Sequence, residues 1–217
     1  MIFLLYRYAE GTGTAVLFDG ITDIDFLSST ELICTDRYNH CLRHVDLSQP
    51  PPETSTFAGN CTVYANAGGH RLNTARFRGP LYTEVDSDHS TLYVLDAHMI
   101  VHTIDLLTDT VTILLTLDTH SYCMKFFGDN LLYFSHSTKI TVFDVASGKQ
   151  SVLAGESKGN AVGSLEHTRF YIAQGLLQWT NEAETLVLVA DYSNNRFAVF
   201  SFPSFRANVE MKVLFTT

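Results

Sequence analysis

One junction recurs three times along this chain. It reads Tyr8-Ala9-Glu10-Gly11 … Leu17-Phe18-Asp19-Gly20-Ile21, then Phe57-Ala58-Gly59-Asn60 … Ala75-Arg76-Phe77-Arg78-Gly79-Pro80, then Leu153-Ala154-Gly155-Glu156 … Thr168-Arg169-Phe170 … Gly175-Leu176. Between the junctions lie short runs rich in β-branched and aromatic residues, broken by Asp, Asn, Ser and Gly, the pattern of strands and hairpins. Four segments share this layout: 31–46, 91–105, 131–144 and 185–200. Three further runs, Val111–Leu117, Gln150–Leu153 and Val209–Phe215, read as outer strands of successive sheets. Strand-rich units repeating at about 40–60 residues predict a β-propeller.

The strand ends carry a more specific signal. Leu186-Val187-Leu188-Val189-Ala190-Asp191-Tyr192-Ser193-Asn194-Asn195-Arg196-Phe197-Ala198-Val199-Phe200 resembles the core of an NHL repeat. Cys34-Thr35-Asp36-Arg37-Tyr38-Asn39-His40-Cys41-Leu42 resembles it nearly as well. The Ala-Gly … Phe-x-Gly-Pro junctions are similar to the linkers between blades of long NHL proteins. Asp96-Ala97-His98-Met99 has a shorter turn, and Ser135-His136-Ser137 lacks the Asp. The resemblance implies an all-β propeller of NHL type. About four blades are visible, whereas such propellers commonly close with six. The chain, 1–217, therefore reads as a single propeller domain, as a piece of a larger ring, or as an arc that self-associates through open blade edges. Met1–Tyr8 reads as an outer strand left over from that tally. Asp36 and Asp191 read as turn acceptors rather than catalysts.

Nothing in the 217 residues marks an enzyme. There is no nucleophile elbow, no His-Glu-x-x-His and no phosphate loop. The nine histidines offer two i, i+4 pairs, His40/His44 and His98/His102, but that spacing spans about 13 Å along a strand. The resemblance to six-bladed lyases and lactonases leaves calcium or zinc in a central channel as the alternative, with no metal expected first. A formal net charge of −9, from 14 basic and 23 acidic residues, argues against nucleic acid. No run is long and apolar enough for a membrane span.

The even cysteine count leaves the redox compartment open. Cys34 and Cys41 flank a hairpin turn and stand as a candidate disulfide, and Asn60-Cys61-Thr62 matches a glycosylation sequon. Both lean toward an extracellular setting, and the absence of a signal peptide leans the other way.

The expectation for function is recognition of another protein through the long linkers 53–80 and 154–178, which carry Tyr64, His70, Arg71, Arg76, Arg78, Glu166, His167 and Arg169. Bracing of adjacent blades competes with binding for each of these residues. Phe77 and Phe170 read as core anchors, and Trp179 as a core or rim residue.

Overall fold

The computed structural model describes residues 7–128, 130–165, 167–180, 184–203 and 210–216. Two compact units divide the chain at Asp118/Thr119, and each contains two antiparallel sheets. In the first unit, β1 (Gly11–Thr12), β2 (Ile21–Ser28), β3 (Glu31–Asp36), β4 (Cys41–Asp46) and β5 (Glu53–Ala58) form a sheet in the order β1-β5-β4-β3-β2. The next sheet follows the same plan: β6 (Gly69–His70), β7 (Pro80–Val85), β8 (Thr91–Asp96), β9 (Ile100–Asp105) and β10 (Thr110–Thr116), in the order β6-β10-β9-β8-β7. In the second unit, β11 (Cys123–Phe127), β12 (Leu131–Ser135), β13 (Ile140–Asp144) and β14 (Lys149–Ala154) form one sheet. The other contains β15 (Ala173–Thr180), β16 (Glu184–Asp191), β17 (Arg196–Pro203) and β18 (Glu210–Thr216). These are four meandering four-stranded blades, and the all-β propeller class predicted from the repeats is the fold observed. Two-residue linker strands, β1 and β6, seal the outer edges of the first two blades, which removes exposed pairing sites there. Met1–Tyr6, most of the expected leading strand, and Glu166 lie outside the described residues.

Each unit has its own core between its two blades. Ile33, Leu42, Phe57, Phe77, Leu92, Val94 and Ile104 form that of the first. Tyr133, Val142, Phe170, Val187, Val189 and Phe200 belong to that of the second. Phe77 and Phe170 are fully buried, as anchors of their linkers.

The NHL-like turn residues form buried clamps that bind the preceding linker. In the first blade, Asp36 Oδ1 accepts the Asp19 amide, and Oδ2 accepts from Asn39 and Arg43. The Arg43 guanidinium also donates to the carbonyls of Ala9 and Leu17. In the fourth blade, Asp191 accepts from the Tyr171 amide, Asn194 and Arg196, while Arg196 donates to the carbonyls of Asn160 and Arg169. The second blade has the pair Asp96–His102 at 3.3 Å. The third has His136, bonded to Thr141 and to the His120 carbonyl. Linker carbonyls that leave solvent at these junctions thus find donors.

The cysteine expectation is corrected. Cys41 is bonded to Cys61, and Cys34 is a free buried thiol, as is Cys123. The β3–β4 register explains why. Cys41 lies opposite Asp36, and Cys34 lies opposite Arg43, so Cys34 and Cys41 are diagonal neighbours about 7–8 Å apart. A disulfide needs Cβ atoms near 4 Å. Burial, reinforced by Asp36, pushes the Cys34 thiol up to about 12.

Candidate recognition site

An aromatic and cationic cluster lies where the turn of the first blade, the turn of the second and the linker between them meet. Gly59 leaves β5 at φ +92, an angle natural to glycine. The Cys61–Cys41 bridge and a bond from the Thr62 amide to the Asn39 carbonyl then hold the linker over the first turn. This presents Tyr64, which is 51% exposed. Its hydroxyl lies 2.8 Å from His98 Nε2, and its ring meets His40 and His98 edge-on at centroid distances of 5.0 and 5.6 Å. The Arg78 guanidinium sits 5.3 Å above the same ring, a cation–π arrangement. Arg78 Nε is buried without a hydrogen-bond acceptor. In the turn of the first blade, the Arg37 guanidinium lies over the half-exposed Tyr38 ring at 5.1 Å.

The backbone forces two of these side chains into place. His40 has φ +62, and Met99, which follows His98, has φ +61. These left-handed residues close the tight turns after Asp36 and Asp96. The Asp96 carboxylate accepts the His98 amide, fixing that turn. Burial lowers the His40 pKa below the ordinary imidazole value.

Of the residues expected to bind, Tyr64 and Arg78 converge here and the others do not. Arg71 ion-pairs with Asp109, donates to the Phe57 carbonyl and lies over the Phe57 ring. Arg76 donates to the carbonyls of Asn73 and Ala75, and the His70 ring accepts the Leu72 amide. His167 bonds to Ser164 in its own turn, and Arg169 pairs with Glu156 and donates to the Thr168 carbonyl. These five brace linkers. The sequence alone does not single out His40 and His98 as partners of Tyr64. Its spacing offers the histidines as metal pairs, although their position just after the clamp aspartates places them on one face. His102, paired with His98 by that spacing, serves the clamp instead. Among the described residues, no three His, Cys, Asp or Glu side chains converge on a point where a metal could sit.

No protein-family model matches the chain, and no curated protein matches it. Solved structures do. An auxiliary nutrient binding protein from Bacteroides ovatus is similar with a TM-score of 0.65 at 14% identity, over 90% of this chain and 48% of its own. A protein from Bacteroides uniformis provisionally named a 6-phosphogluconolactonase is similar with a TM-score of 0.60 at 15% identity, over 88% and 53%. An auxiliary nutrient binding protein from Bacteroides thetaiotaomicron gives 0.53 at 15% identity, over 95% and 60%. The chain thus spans about half the length of these structures. At such identities the likeness is one of fold, and fold alone does not fix function. The class defined here is a β-propeller protein.

Proposed function

We propose that this chain is a non-catalytic binding module of NHL propeller type that recognises a carboxylate-bearing segment of another protein. The observation that carries the reading is the half-exposed Tyr64 held between His40, His98 and Arg78. Tyrosine and arginine are the residues on which protein interfaces concentrate their binding energy. A carboxylate entering the patch would meet Arg78 and the hydroxyl of Tyr64, a cationic spot on a chain of net charge −9. Charge-assisted bonds of this kind are stronger than neutral ones. Nutrient binding by two of the structural neighbours accords with a binding role. The proposal involves no metal.

Fluorescence anisotropy with labelled glutamate-rich peptides, with and without added calcium or zinc, tests the reading. Saturable, metal-independent binding is expected, weakened about tenfold or more by Tyr64→Ala or Arg78→Gln and unchanged by Arg76→Gln. Binding that ignores the first two substitutions would overturn it.

A further inference from the structure

Asn60-Cys61-Thr62 is the one Asn-x-Ser/Thr sequence in the chain, and the fold builds a turn from it. The Val63 amide donates to the Asn60 carbonyl at 3.0 Å, and the Thr62 amide donates to the Asn39 carbonyl in the turn of the first blade. Cys61 is buried in its bridge to Cys41, while Asn60 and Thr62 on either side of it are exposed. Neither the Asn60 carboxamide nor the Thr62 hydroxyl is hydrogen-bonded among the described residues. The bridge thus pins the middle of the sequence and leaves both outer side chains in solvent.

Threonine is a poor fit to its place in that turn. Thr62 has φ +75, and turns with a positive φ at the third residue favour Gly or Asn. A β-branched residue in the left-handed region is strained. Among the described residues only Thr62 and Ile172 combine the two features, and Ile172 is partly buried whereas Thr62 is exposed. The part Thr62 plays in the fold is a backbone bond that any residue but proline could make. No side-chain bond among the described residues offsets the strain. What threonine adds here is a hydroxyl two residues after an exposed asparagine, and strain kept at an exposed position points to a use outside the fold.

We infer that Asn60 is an N-glycosylation site, with Thr62 supplying the hydroxyl that the transfer requires, and that the sugar is added before the Cys41–Cys61 bridge closes. The donor is an oligosaccharide joined through a diphosphate to a polyprenyl lipid. Asn60 Nδ2 attacks the anomeric carbon of the first sugar and a carbon–nitrogen bond forms. The bond from that carbon to the diphosphate oxygen breaks, the lipid diphosphate leaves, and the amide gives up one proton to a base. Disulfides persist in oxidising compartments, where such donors meet secreted chains, so bridge and sugar share a location. Closing the bridge passes two electrons and two protons from the thiols to a disulfide-bearing oxidant of that compartment. The two steps compete, because the closed turn, with Thr62 left-handed and Cys61 tethered, keeps the sequence from extending as an acceptor. The inference is independent of the recognition patch.

Secretion of the full 217-residue chain from cultured mammalian cells, behind a cleavable leader, tests the inference by peptide mapping in a mass spectrometer. Peptide N-glycosidase in heavy-oxygen water should remove a sugar mass from the chain and convert Asn60 to labelled Asp. Asn60→Gln and Thr62→Ala should each abolish the modification, and Thr62→Ser should retain it. Both positions are exposed, so circular dichroism should show these variants folded. Cys41→Ser should raise the fraction of Asn60 that carries sugar. That fraction is read on chain from cells and medium together, so a failure to fold does not hide it. Unmodified Asn60 in the secreted chain, or sugar at Asn60 that survives Thr62→Ala, would overturn the site. Occupancy unchanged by Cys41→Ser would overturn the order of events.

Discussion

Arg43 Nη1 lies 3.0 Å from Asp36 Oδ2 with both side chains fully buried, yet Arg43 stands two residues further along its strand than Arg196 does in the equivalent clamp. In the fourth blade the residue directly opposite the clamp Asp is Arg196, and in the first it is Cys41. Residues two apart on a strand share a face, so the guanidinium moves along the strand and still reaches both the carboxylate and two linker carbonyls. The vacated position carries half of the disulfide. Burial raises the Asp36 carboxyl above its ordinary value, against the pull of Asn39, the Asp19 amide and Arg43.

Removing this cation should be costly. Arg43→Ala leaves a buried carboxylate and two linker carbonyls without their donor, a loss of about 3–5 kcal/mol. Urea denaturation is the check. Asp36→Asn in the same background should recover part of the loss, because it removes the uncompensated charge.

The Cys41–Cys61 bridge closes a loop of sequence separation 20. Loop-closure arguments assign about 3 kcal/mol to a bridge of this kind, so Cys61→Ser should lower stability by roughly that amount. Iodoacetamide under native, non-reducing conditions should leave Cys34 and Cys123 unlabelled, since both are buried and the Cys34 thiol is pushed up to about 12. Urea denaturation reads the first outcome and mass spectrometry the second.

His40 supplies a pH dependence. Its folded pKa lies below that of the unfolded chain because burial disfavours the imidazolium. The unfolded state therefore binds more protons as pH falls through about 6.5. The contribution of His40 is full above that value and is lost on acidification toward the lowered folded pKa. His40→Asn tolerates the left-handed backbone and should show a smaller drop in urea midpoint between neutral and mildly acidic pH.

The two Ala-Gly junctions should resist substitution unequally. A Cβ on Gly155 (φ +80) would sit 2.3 Å from the Thr138 carbonyl oxygen, whereas on Gly59 (φ +92) the nearest atom is 2.9 Å away on the Phe77 ring. The left-handed backbone alone costs an alanine about 1–2 kcal/mol. Gly155→Ala should exceed that and Gly59→Ala should stay closer to it, because a ring can shift and a backbone carbonyl cannot.

The blade pattern was legible because strand alternation, Asp-Asn turns and Ala-Gly junctions are local features. Asp36 and Asp191 were readable as structural for the same reason. The disulfide was not, because pairing across a turn depends on a register that one residue changes: Asp36 opposite Cys41 excludes Cys34. Arg71, Arg76 and Arg169 resembled binding residues in sequence, but linker carbonyls and carboxylates claim them. His40 and His98 lie 58 positions apart, so only the packing of one blade turn beside the next could bring them to Tyr64. Trp179, expected in the core or at the rim, is half-exposed.

The binding patch can be tested most directly through its own histidines. Side-chain imidazole NMR signals would be followed while a glutamate-rich peptide is added to the full chain. His40 and His98 should shift together and saturably, with His70 and His167 unmoved, and Arg78→Gln should move saturation to about tenfold or more higher peptide concentration. Shifts centred on His70 or His167, or none at His40 and His98 while the peptide binds, would contradict the assignment of recognition to this site.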